Sequence, residues 1–164
     1  MNKQGFAHLV VGGTGSGKTT FIKTMLGKIP NQKSILIYDV NAEYFSDSVL
    51  PDFKDFTQKI NNVKKCVIVL EEATIFLDAR GSSFDIRNLL VRKRHNENYI
   101  FLVFHSLRSV PFYIYNLCNY ITLLNTNDQI QNVEGRFDDK VTELFKAVQK
   151  ANTKYFRQTI RIDQ

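Results

Sequence analysis

The chain has 164 residues, 43% hydrophobic and 23% charged, a balance that excludes a disordered or collagen-like polymer. A chain this long buries roughly 70% of the surface its unfolded form exposes, so its core needs neither disulfides nor a structural metal; Cys66 and Cys118, each in an apolar run without metal-ligand spacing, read as buried thiols. The net charge of +6 permits a polyanionic partner, and the longest apolar stretches, 66–70 and 99–104, fall far short of the ~20 residues that span a bilayer.

Short apolar runs rich in β-branched residues alternate with amphipathic stretches, which predicts an α/β fold with a mainly parallel sheet covered by helices on both faces. The first strand is expected over 7–11. It runs into Gly12-Gly13-Thr14-Gly15-Ser16-Gly17-Lys18-Thr19, after which a helix is expected from Gly17 to about Leu26. The segment meets G-x-x-x-x-G-K-[ST] at every fixed position and lies between a strand and a helix, as a P-loop must. Glycines let the backbone wrap tightly and aim successive N–H groups at phosphate oxygens, while the helix contributes its positive end. Gly12 to Thr19, with Thr20, are therefore expected to bind nucleotide, Lys18 supplying charge to the β and γ phosphates and the Thr19 hydroxyl ligating Mg²⁺. ATP and Mg²⁺ are the expected cofactors.

A second strand is expected over 34–38, whereas the stretch 40–65 follows neither the helical nor the strand period. The third strand, 66–70, ends in Glu71-Glu72 and reads as a Walker B strand. Glu71 stands where an Asp is usual and would hold Mg²⁺ through a water, and Glu72 would polarise the attacking water. A carboxylate so placed favours hydrolysis over transfer to a bound acceptor. Another strand separates the P-loop and Walker B strands in sequence, which fits ATPases that insert an extra strand between the two better than small-molecule kinases.

The segment 80–108 is basic, carrying Arg80, Arg87, Arg92, Lys93, Arg94 and Arg108 against Asp85 and Glu97. Its loop 78–83 follows the Walker B site closely enough to feel the nucleotide state, and Arg80 and Arg87 are the expected contacts to a phosphate backbone, blind to sequence and sensitive to salt. Further elements are a helix from Phe84 to about Arg94, a strand over 99–104, a short helix from Pro111 to about Asn116, a strand over 120–124, and a helix from Asp138 to about Ala151 with Asp138 as its cap. In 153–162, Phe156, Ile160 and Ile162 alternate with Tyr155, Arg157, Thr159 and Arg161, predicting a terminal strand with a basic outer face. No repeat or linker divides the chain, so one domain is expected over 1–164, its core about 6–125 and its C-terminal helix and strand about 126–164.

With these pieces placed, the sequence resembles the FtsK/HerA superfamily of DNA-translocating ATPases, and within it the small genome-packaging ATPases of membrane-containing viruses. The resemblance rests on the P-loop, on the second strand and its exit 35–44 with Asp39 and Glu43, on the Walker B segment 67–73, and on Arg92-Lys93-Arg94-His95 leading into 100–106. It implies a single RecA-like P-loop domain with the added strand of the hydrolysing classes and a C-terminal β extension, in a ring of six subunits. The fourth strand of the family ends in a polar sensor, here His105, with Ser106 the alternative. An arginine from one subunit completes the next subunit's site, for which Arg94, Arg108 and Arg136 are the candidates. The implied partners are DNA and a capsid vertex or membrane protein, and the implied setting is host cytoplasm, with virion association. Zonula occludens toxin-like phage export proteins are a weaker relative. A small-molecule kinase and a non-hydrolysing NTP-binding module are the competing readings.

Overall fold

The computed structural model describes residues 5–29, 34–44, 49–74, 82–151 and 153–162, with the side chains of 53 and 82–85 left aside. Strands β1 (Phe6–Val11), β2 (Ser34–Tyr38), β3 (Cys66–Leu70), β4 (Tyr99–Phe104), β5 (Tyr120–Leu124) and β6 (Arg157–Arg161) form a six-stranded sheet ordered β2-β3-β4-β1-β5-β6. Neighbours from β2 to β5 are parallel, and β6 is antiparallel to β5. In sequence it is β2 that separates the P-loop strand from the Walker B strand. In space the inserted strand is β4, so the sensor strand runs between β1 and β3.

Side chains alternate across the strands and divide the core. Val10, Val67, Val69, Phe101 and Val103 meet Phe21 and Ile22 of α1 (Lys18–Leu26) on one face. On the other face, Leu9, Val11, Ile68, Leu70, Ile100, Leu102 and Phe104 meet α2 (Phe53–Ile60), α3 (Ser82–Arg92), α4 (Phe112–Leu117) and α5 (Asp139–Ala151). Both cysteines are buried and neither is in a disulfide, and burial pushes the Cys118 thiol up to about 12.

Helix α2 lies in the stretch left unassigned from sequence. Asp52 caps it by accepting the Asp55 N–H at 2.9 Å, and Phe56 and Ile60, one turn apart, are buried, the Phe56 ring 5.5 Å from that of Tyr38. At the one helix cap read from sequence, Asp138 accepts the Val141 N–H at 2.9 Å. Beyond β2, Val49 forms an isolated bridge to Ile37, and the Leu50 N–H bonds the Ile37 carbonyl at 2.8 Å, covering part of that sheet edge.

The last strand is shorter than expected, beginning at Arg157 with Tyr155 in the turn before it, and its basic face is exposed as read from sequence. The face of Arg157 and Thr159 remains accessible, but it turns toward α1, with the Arg157 guanidinium over the Phe21 ring at 5.5 Å. Thr159 Oγ1 meets Thr122 Oγ1 at 2.6 Å, and Thr122 Oγ1 meets His8 Nε2 at 2.7 Å, so a polar rung joins β1, β5 and β6. His8 is 4% exposed and stacked on Phe101, and burial lowers its pKa from 6.5 to about 4.

The neutral imidazole therefore belongs to the fold. Stability from this group is complete above pH 6.5, where the unfolded chain is also neutral, and is lost as pH falls toward 4 because the unfolded state takes up the proton first. The expected loss is about 3 kcal/mol. Urea denaturation across that range should show it, and His8→Gln, which keeps a partner for Thr122, should flatten the pH profile. An unchanged profile in the variant would assign the acid loss to other groups.

Candidate nucleotide site

The P-loop leaves the carboxyl end of β1 with its first two amides already engaged: the Gly12 N–H bonds the Phe104 carbonyl at 3.1 Å and the Gly13 N–H the Asn125 carbonyl at 2.8 Å. A Cβ on Gly12 would lie 2.5 Å from Ser16 Oγ and 2.8 Å from Leu124 Cβ, so only glycine permits this approach. Gly15 and Gly17 take left-handed backbone, at φ 72° and 97°. Gly17 is the N-cap of α1 and offers no side-chain cap, and the first turn carries no acid, so the amides opening this helix face a concavity suited to an anion.

That concavity is a cleft of about 380 Å³ lined by Thr14, Gly15, Gly17, Lys18, Thr19, Thr20, Asn41, Glu43, Glu71, Glu72, His105 and Tyr155. Lys18 Nζ donates to the Gly13 carbonyl at 3.0 Å and lies 3.4 Å from His105 Nδ1. His105 Nε2 is 2.6 Å from Glu72 Oε1. Because an ammonium only donates, Nδ1 accepts from Lys18 and Nε2–H donates to Glu72, which orients the carboxylate. Burial lowers the Lys18 pKa, against the opposing pull of Glu71, Glu72 and Glu43.

A second polar group forms at the start of α1. The Thr19 hydroxyl contacts Glu71 Oε1 at 2.8 Å and Glu43 Oε2. Asp39 shapes the chain that brings Glu43 here: its carboxylate accepts the N–H groups of Asn41 at 3.0 Å and Tyr44 at 2.9 Å. Lys23 Nζ, bonded to the Glu43 carbonyl at 2.6 Å, ties the same segment to α1. Burial raises the pKa of Glu71, partly offset by its Thr19 hydrogen bond, and Glu71 Oε2 is buried without a hydrogen-bond partner among the described residues. A hydroxyl and two carboxylates with an orphaned oxygen suit a hard, oxygen-seeking divalent cation. Among the described residues no group of three or more His, Cys, Asp or Glu forms a dedicated cage, and Mg²⁺ does not need one, since it keeps waters and takes phosphate oxygens.

Thr14, Gly15, Gly17, Lys18, Thr19, Thr20, Glu71, Glu72 and His105 thus converge on one cleft, whereas Gly12, Gly13 and Ser16 of the P-loop do not line it. Ser106, the alternative sensor, instead caps the turn after β4 by accepting the Ser109 N–H at 3.2 Å. Arg87 is exposed on α3 and Arg94 is exposed beyond its end, both away from the cleft, and Arg80 lies outside the described residues. Arg136 donates to the carbonyls of Arg108 at 2.8 Å and Val110 at 2.7 Å, bracing the turn that follows β4 in the same chain. Glu43 was visible in sequence only within the Asp39–Glu43 exit, and Asn41 and Tyr155 carried no signal of a site.

The family described as helicase HerA, central domain, matches residues 7–163. The DNA-packaging ATPase B204 of Sulfolobus Turreted Icosahedral Virus superposes with a TM-score of 0.73 at 17% identity, covering 96% of this chain and 92% of that one. B204 of Sulfolobus turreted icosahedral virus 2, in complex with ATP-gammaS, gives 0.72 at 18% identity over 99% and 94%. The N-terminal domain of zonular occludens toxin from Neisseria meningitidis gives 0.61 at 14% identity over 98% and 96%. No curated protein sequence is significantly similar to the chain. The family match runs nearly end to end and its P-loop is intact, so the chain belongs to the HerA central-domain family and is a P-loop ATPase.

Proposed function

We propose that this ATPase is a DNA translocase, acting as a single domain over 1–164 in a ring of six, and that it packages a viral genome into a preformed capsid. The observation that carries hydrolysis is the Glu72–His105 pair at 2.6 Å, set between the Walker B and sensor strands and joined to Lys18. A nucleophile-polarising carboxylate oriented by a third group suits activation of water. In this reading Lys18 and the loop amides hold the phosphates, Glu72 takes the proton of the attacking water, and His105 positions Glu72. Thr19, Glu71 and Glu43 would hold Mg²⁺, which supplies charge neutralisation on the β and γ phosphates. Arg94 or Arg136, with Arg108 the third candidate, would complete the site from the neighbouring subunit.

Packaging is supported by likeness to the packaging ATPase B204 over almost the whole of both chains. A capsid vertex or membrane protein would then be the docking partner, in host cytoplasm or on the virion. A second reading, a phage export ATPase, is favoured by the zonular occludens toxin domain, and among the described residues no helix is long and apolar enough to cross a membrane. Arg80 and Arg87 are the proposed phosphate contacts.

The test is steady-state ATPase activity with DNA of unrelated sequences at several salt concentrations, with particle mass measured in the same samples. Turnover should rise with any DNA, fall back steeply with salt, and lose part of its salt slope in Arg80→Ala/Arg87→Ala. Turnover indifferent to DNA at low salt would remove the translocase reading and leave the ATPase.

A further inference from the structure

We infer that Tyr155 is the platform on which the nucleotide base stacks, and that the site takes nucleoside triphosphates by the face of the base, with little discrimination between adenine and guanine. The inference rests on the ATPase reading of the cleft and on none of the DNA contacts.

Sheet order gives the cleft two unlike ends. Glu71 and Glu72 follow β3 and His105 follows β4, on one side of β1, whereas β5 and β6 lie on the other. Lys18 reaches toward the first side, where it meets His105. A triphosphate whose terminal phosphate lies among Lys18, Glu72 and His105 must lead its nucleoside across the P-loop toward β6. The turn entering β6 stands there. A Cβ on Gly17 would be 3.5 Å from Tyr155 Cδ1, and one on Gly15 would be 3.8 Å from Lys154 Cε.

Tyr155 is nevertheless 66% exposed, so its ring contributes little to the core. Lys154 Nζ sits 5.6 Å from the ring centroid, placing a cation beside the path of the phosphates. An accessible aromatic face held against a phosphate loop is what a base stacks on. At this end the other lining groups are Thr14, Gly15, Gly17 and Thr20 of the loop and helix, while Asn41 and Glu43 belong to the Thr19 side. Every base has a π-face, so a ring recognises bases by stacking strength and leaves their edges unread.

The chain contains no tryptophan, which makes Tyr155→Trp a single-site reporter. Its fluorescence should be quenched saturably by ATP and GTP and left unchanged by inorganic tripolyphosphate, which has no base. Tyr155→Ala should bind ATP and GTP about 5- to 150-fold more weakly, the range expected from one stacked base, with tripolyphosphate affinity and melting temperature unchanged. Tyr155→Phe should bind like the parent. Equal losses for ATP and tripolyphosphate in Tyr155→Ala would make Tyr155 a support of the phosphate loop and overturn the inference. So would unchanged ATP affinity, or a strong preference for ATP over GTP that persists in Tyr155→Ala. A parent protein that bound neither ATP nor tripolyphosphate would strike the ATPase reading itself, an outcome distinct from these.

Discussion

Glu72→Gln is expected to bind ATP as tightly as the parent and to hydrolyse it about 10²- to 10⁴-fold more slowly, the range assigned to a positioned general base. Glutamine still offers an oxygen to His105 Nε2–H, so the 2.6 Å contact and the shape of the cleft survive. What disappears is the charge that draws the proton from water. Lys18→Ala should fail earlier, at binding, because the removed ammonium is the one side-chain cation that lines the cleft among the described residues. Equilibrium nucleotide titration and single-turnover hydrolysis on both variants separate the two losses. Full turnover in Glu72→Gln would move the catalytic carboxylate elsewhere.

Arg94→Ala should assemble and bind ATP normally while turnover falls about 10³- to 10⁵-fold, if this arginine stabilises the transferring phosphoryl group of the neighbour. Arg94 lies in the turn after α3, shortly before Tyr99 opens β4, at the amino edge of the sheet, whereas the cleft lies at the carboxyl edge. The six residues of β4 separate them by about 20 Å, so Arg94 has no reach into its own subunit's site. Mixing supplies the test. Arg94→Ala subunits keep Glu72 and Glu72→Gln subunits keep Arg94, so mixed rings should contain complete sites and regain activity. If mixed rings form and remain inactive at every ratio, Arg94 does not act in trans, and Arg108 and Arg136 should be examined in the same way. For Arg136 the stability control is essential, since its removal strips donors from the Arg108 and Val110 carbonyls and should cost about 1–3 kcal/mol.

How far the sequence spoke depended on how local each signal was. The buried parallel strands announced themselves as continuous apolar runs, and β2 to β5 start and stop where those runs do. The P-loop was legible because its chemistry needs particular residues at fixed spacing. Helix α2 escaped because among its described side chains only Phe56 and Ile60 are buried and aromatic residues on either side obscure the period; the Asp52 cap was the usable clue. Glu43 and Tyr155 reach the cleft through contacts spanning 24 residues and almost the whole chain, respectively, and no window of sequence contains such a contact. Strand periodicity assigned Arg157 and Thr159 to one face correctly, but Tyr155 falls in the turn before β6, and which neighbour that face meets is decided by the order of strands in the sheet.

The two outer strands also govern what the sheet cannot do. β2 has part of its edge occupied by the Val49 bridge, and β6 carries exposed Arg157 and Arg161 at its two ends. Placing another copy's β6 alongside would bring arginines together and leave them poorly solvated, a standard defence against sheet growth from molecule to molecule. In the proposed ring, neighbouring copies would thereby be kept from fusing into a continuous ladder of backbone hydrogen bonds. Contacts within such a ring would fall instead to side chains, which separate and re-form more readily than a shared sheet.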